Sequence, residues 1–95
     1  MKPIHLPLRN YSGSITTGGT AQDVYSADTA PKTSFLFQNV SDTAMTIDFG
    51  ITAEADKGIL VAAGVAYEMP PGVMFTGRLS VLCATTGKKF VCKTT

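Results

Sequence analysis

From Ser14 onward the chain is a series of short β-prone runs, each closed by Gly, Pro, Asp, Asn or Ser at intervals of roughly 8 to 12 residues. That punctuation leaves room for little except a small all-β domain. The runs fall at 14–17, 21–25, 34–38, 45–49, 59–61, 65–69, 79–84 and 89–94. No stretch carries the apolar period of an amphipathic helix. "TAEADKG", with Gly50 before it and Gly58 at its end, is expected as a loop or a single turn. Runs of this number and spacing predict a small antiparallel β-sandwich, jelly-roll-like in its short strands, over residues 14–95.

Side-chain alternation gives the strands their faces. In "FLFQNVSDTAMTIDFG", residues 35–50, Phe35 and Phe37 share one face while Met45, Ile47 and Phe49 share another. These five side chains are expected to be buried. Asn39, Ser41 and Asp42 lie between the two runs, where their short side chains can close a hairpin turn. "GILVAAGVAYEM" repeats the device, with Gly64 free to take a positive φ, and "LSVLCATTGKKFVCKTT" repeats it again around Gly87. In that last hairpin a four-residue loop sets Cys83 directly opposite Cys92, and a two-residue loop sets them diagonal on one face. Only the first register suits a disulfide. With two cysteines and no oxidising context indicated, buried reduced thiols are expected.

Residues 1–13, "MKPIHLPLRNYSG", read as an extended N-terminal arm, because Pro3 and Pro7 remove backbone donors and hold their predecessors extended. Ile4, Leu6 and Leu8 alternate along it and offer one apolar edge to a partner. Tyr11, Tyr25 and Tyr67 are the other candidates for partner contact, since an amphipathic ring suits a protein surface or a sugar face. Ninety-five residues make one domain. At 44% apolar and 16% charged, the chain is rich enough in apolar surface to imply contact with another chain.

Composition also excludes function classes. A net charge of +1, scattered along the chain, offers no face to a phosphate backbone, so nucleic acid is not an expected partner. No run approaches the roughly 18 apolar residues of a membrane span, and two prolines interrupt the place of a signal sequence. Synthesis in the cytoplasm, with no membrane partner, is expected. His5 has no second ligand at metal spacing, and no serine sits in a G-x-S-x-G elbow. Asp42, Asp48, Glu54, Asp56 and Glu68 each fall near a turn, where a solvated charge explains them better than a glycosidase pair. Thus no catalytic residue, no metal site and no cofactor site are expected.

"FLFQNVSDTAMTIDFG", followed by "GILVAAGVAYEMPPGVMFTGRLSVLCATTGKKF", resembles a family of small structural proteins of tailed bacteriophages. The resemblance spans about residues 15–91 and rests on the order of its elements. Gln38 and Asn39, Phe49 and Gly50, Tyr67 and Glu68, the Pro70-Pro71-Gly72 turn, and Thr76 and Gly77 match the family pattern, in structural positions. The two cysteines and the arm depart from it. The resemblance implies a β-sandwich virion component that decorates, or cements, the outer capsid surface. It implies the major capsid protein and sister subunits as partners, in a homotrimer; the arm and the loop at 51–57 are expected to touch the capsid or sister subunits. A neck, tail or fibre-base component and a carbohydrate-binding surface module are the alternative readings.

Overall fold

The computed structural model describes residues 9–26, 34–68 and 77–94. Among them are nine strands and no helix: β1 (Arg9–Asn10), β2 (Gly13–Ser14), β3 (Gln22–Tyr25), β4 (Phe35–Asn39), β5 (Met45–Phe49), β6 (Ile59–Val61), β7 (Ala66–Glu68), β8 (Leu79–Cys83) and β9 (Lys89–Thr94). They form two antiparallel sheets. In the first, β1 and β2 lie end to end along β9, followed by β4 and then β7; in the second the order is β3, β8, β5, β6. Strands β1 and β2 hold one register against β9, from Arg9 opposite Thr94 to Ser14 opposite Lys89. They are one edge strand, kept in step by the Tyr11 amide donating to the Cys92 carbonyl at 2.8 Å.

With β1 and β2 taken as one strand, the chain makes two four-stranded sheets whose order is that of a jelly roll. The sandwich predicted from the runs is therefore present, but its connections differ from expectation. All three expected hairpins cross from one sheet to the other: β4 pairs with β7 and β9, β5 with β6 and β8. Among the described residues only β5 and β6 form a hairpin within a sheet. The turn residues are the ones expected, yet short polar turns close a sandwich corner as readily as a hairpin. Packing two apolar faces against each other selects the corner.

The cysteines follow from this. Cys83 pairs with Met45 in one sheet and Cys92 with Phe37 in the other, so neither hairpin register applies and both thiols are buried. We expect neither thiol to react with an aromatic disulfide reagent on the time scale of a surface cysteine, and both to react on unfolding. A native rate about 100-fold below the denatured rate is expected, because reaction requires opening of the sandwich; a fast-reacting thiol would contradict the burial.

Alternation places the core as predicted for Phe35, Phe37, Met45 and Ile47, whereas Phe49, at the end of β5, is only partly buried. Phe35, Phe37, Phe90 and Cys92 point inward from one sheet, and Met45, Ile47, Val61, Leu79, Val81 and Cys83 from the other. Phe37 stacks on Phe90 with centroids 5.3 Å apart, and Phe35 meets Phe49 edge to face across the sandwich at 5.2 Å. Of the expected arm, residues 1–8 lie outside the described residues, whereas Arg9 to Gly13 belong to the edge strand.

Candidate functional site

Four connections gather at one end of the sandwich: residues 15–21, 40–44, 62–65 and 84–88. Hydrogen bonds lace them together. The Ile15 amide donates to the Lys88 carbonyl, the Gly87 amide to the Ile15 carbonyl and the Gly19 amide to the Cys83 carbonyl, each at 2.8 Å. Gly18 allows the closest approach, since a Cβ there would stand 2.5 Å from the Ala84 carbonyl oxygen.

Asn39 ties the other two connections. It is fully buried, and its Nδ2 donates to the carbonyls of Thr43 at 2.7 Å and Val61 at 3.0 Å. Its Oδ1 accepts from the Ser41 amide and hydroxyl, and its backbone exchanges bonds with Gly64 and Val65. Gly64 takes the expected positive φ, at 75°. An Asp42–Lys88 ion pair at 2.6 Å joins the halves, and the Lys88 hydrogen bond holds the Asp42 carboxyl below its usual range.

Beside the exposed Thr16, Thr17, Asp42, Thr85 and Thr86, this rigid end presents an aliphatic patch. Val40 and Val65 are each 48% exposed and are brought together by the Asn39 amide bonding to the Val65 carbonyl; Ala62, Ala63 and Ala66 are exposed beside them. A second aliphatic area lies on the outer face of the sheet containing β5. Leu60, Thr46 and Leu82 stand in one cross-strand row there, flanked by Ala44, Ala55 and Ala84 in a shallow groove of about 320 Å³ with no charged lining residue. Leu60 is 68% exposed.

The neighbouring row is covered. Residues 50–58 fold back over it: Ala53 is buried and its amide donates to the Ser80 hydroxyl at 3.0 Å. Arg78 clamps this fold-back from Nη1 to Asp23 at 3.0 Å and from Nη2 to Thr52 at 2.6 Å. The loop expected to touch a partner is thus anchored to its own sheet through Ala53 and Thr52, while Glu54 to Lys57 stay exposed and Ile51 is exposed at the end opposite the four connections.

The tyrosines fare differently from one another. Tyr25 is a core residue, 4% exposed, and desolvation pushes its phenol far above the ordinary range. The register shift between Asp23 and Tyr25 sets it opposite the inward-facing Leu79 and makes it core, which corrects the expectation of a surface ring. Tyr11 is half-buried against it, with centroids 5.2 Å apart, and Tyr67 is half-buried against Phe35 at 6.2 Å. Ile4, Leu6 and Leu8 lie outside the described residues. The structure brings Tyr11 and Tyr25 together but leaves Tyr67 on β7, on the other side of the sandwich. The exposed aliphatics escaped sequence reasoning. Their signal is that residues 58–66 contain no charge and almost no polarity where a turn between strands is ordinarily polar.

The carboxylates have local structural partners or lie apart. Glu54 meets Lys57, Asp48 accepts the Phe49 amide, and Asp42 and Asp48 occupy opposite ends of β5. Among the described residues no group of three or more His, Cys, Asp or Glu stands together to hold a metal ion. No family model matches the chain, and no curated protein matches it.

Proposed function

We propose that the chain is a structural protein of a tailed-bacteriophage virion, and specifically a capsid decoration protein that binds the outer surface of the head and stabilises it. The observation that carries this reading is the laced, aliphatic loop end around Val40 and Val65. Such a surface suits docking on a large, fixed partner: its loops are held before contact, so little ordering entropy opposes binding, and its apolar side chains gain from burial. Jelly rolls are common in virus capsids, although fold alone assigns no function. The sequence resemblance directs the reading to the capsid. A protein that binds only the assembled lattice stabilises it by mass action against the outward push of packaged DNA, with no reacting group required.

Co-sedimentation with expanded shells of the virus that encodes the chain tests the reading. Val40→Asp combined with Val65→Asp is expected to weaken retention roughly 10-fold or more, since it charges the proposed contact without touching the core. Ile51→Asp, at the opposite end, carries a similar change in charge and is expected to bind as the native protein does. Loss of binding by the Ile51 variant alone would reverse the docking face, and no retention of the native protein on shells would remove the capsid reading. Copy number in purified virions then separates shell from neck or tail, because a decoration protein follows the count of the capsid lattice.

A further inference from the structure

We infer that residues 2–8 of a second copy of this chain add as a strand to the open edge of β6, laying Ile4, Leu6 and Leu8 beside Leu60. The inference goes beyond the capsid reading and does not depend on it.

The receiving edge is set by the topology. Among the described residues β6 ends its sheet, and neither its three residues nor the stretch 58–66 carries a charge. The opposite edge of the same sheet is guarded: β3 shifts register between Asp23 and Tyr25, and Asp23 is tied to Arg78. Bulges and charges are how sheets refuse further strands, and β6 has neither. It also carries the most exposed large apolar side chain among the described residues, Leu60, at the mouth of the uncharged groove.

The occupant is set by sequence parity. Residues 1–8 precede β1 and enter here by their sequence alone. In an extended strand the backbone groups of successive residues point to alternate sides, as the side chains point to alternate faces. Ile4, Leu6 and Leu8 therefore present their amides and carbonyls along one edge and their aliphatic side chains on one face. Pro3, His5 and Pro7 face the other way, so both missing N–H groups fall on the outer edge. The segment has one complete hydrogen-bonding edge and one blocked edge. It can extend a sheet by one strand and no more, with alternate side chains giving the fit, as in β-strand addition generally.

Reach points to a second copy. Arg9 opens β1, three strand positions from β7 and in the sheet facing β6. Strand spacing near 4.8 Å and sheet spacing near 10 Å make that crossing about 17 Å, or about five residues at 3.3 Å each. Leu8 and Leu6 stand too close to Arg9 in sequence to make it, so Ile4, Leu6 and Leu8 cannot lie along β6 of the same copy. A neighbouring copy meets no such limit, and head-to-tail donation closes into a ring or a reciprocal pair.

The test uses the full chain. Light scattering over a concentration series is expected to give a mass above the monomer that falls at least twofold, to the monomer, on deleting residues 2–8 and again with Leu60→Glu. The second change lies at an exposed position, so an unaltered thermal midpoint shows that the fold survives it. Mixing a Leu6→Cys copy with a Leu60→Cys copy under mild oxidation is expected to yield a disulfide-linked pair. A monomer at every concentration, or an oligomer indifferent to both changes, overturns the inference. So does a Leu6→Cys, Leu60→Cys double variant that closes its disulfide within one chain at high dilution. Because each readout uses the purified chain, its failure leaves the capsid reading intact, and failure on shells leaves this one intact.

Discussion

Replacing Asn39 with leucine is expected to cost about 4 kcal/mol of unfolding free energy, measured from urea curves, although the two side chains share the same heavy-atom count and branching. The amide satisfies the Thr43 and Val61 carbonyls and the Ser41 amide and hydroxyl from a fully buried position. Each buried group left without its partner costs roughly 1 to 3 kcal/mol, discounted for those close enough to the surface to find water. Asn39→Asp separates donor from acceptor. It keeps the acceptor for Ser41, loses both donors and buries a charge. Burial raises the folded-state pKa of such a carboxyl above its unfolded value, so the deficit is largest at neutral pH and shrinks as pH falls. A cost below about 1 kcal/mol for Asn39→Leu, or a flat pH profile for Asn39→Asp, would mean that the two corners are held by something other than this side chain.

Phe37→Ala is expected to be as damaging by a different route, costing about 4 kcal/mol through lost transfer energy and the cavity left behind. Phe37 is 0% exposed, stacks on Phe90 and sits at the centre of the face that β4 presents to the other sheet. A chain of this length has on the order of 5 to 14 kcal/mol in all. Thermal unfolding should therefore move down by roughly 15 to 30 °C. Phe37→Leu, which refills most of the space, should recover more than half of that. If alanine costs less than about 1.5 kcal/mol, the sheets close on the void and the core is less rigid than its burial indicates.

The strands were legible because their signal is local. Phe35, Phe37, Met45 and Ile47 alternate with polar neighbours, and the structure buries each of them on the face that parity assigns. The first run is the exception: it was read as 14–17, whereas the chain enters its sheet from Arg9, because pairing with β9 overrides the weak propensity of "RNYSGS". Pairing partners were not legible at all. The corner at 40–44 and a hairpin turn ask for the same Asn and Ser chemistry, and only the burial of Asn39 between two connections shows which was built. The cysteine registers failed for that reason alone. Of the candidate contact residues, Tyr25 was misjudged because a lone aromatic in a four-residue strand gives no sign of which face will be covered. Leu60 and Val65 were passed over because aliphatic residues in a predicted strand read as core. Whether such a residue faces inward depends on pairing that a single sequence does not display.

The alternation of the chain between sheets has a further consequence, for how the protein acquires its structure. Among the described strands, with β1 and β2 taken as one, every connection except the β5–β6 loop joins strands of opposite sheets. Apart from that one hairpin, no stretch emerging from the ribosome can pair with its neighbour. β9 is the last strand made, and β1, β2 and β4 all hydrogen-bond to it. The first sheet therefore cannot be completed until β9 has been made, although β4 and β7 can pair before it. Folding dominated by such distant pairings is slow, on the millisecond-to-second scale of β-sandwiches. Until β9 is available the aliphatic runs of the first sheet are exposed to whatever chains lie nearby.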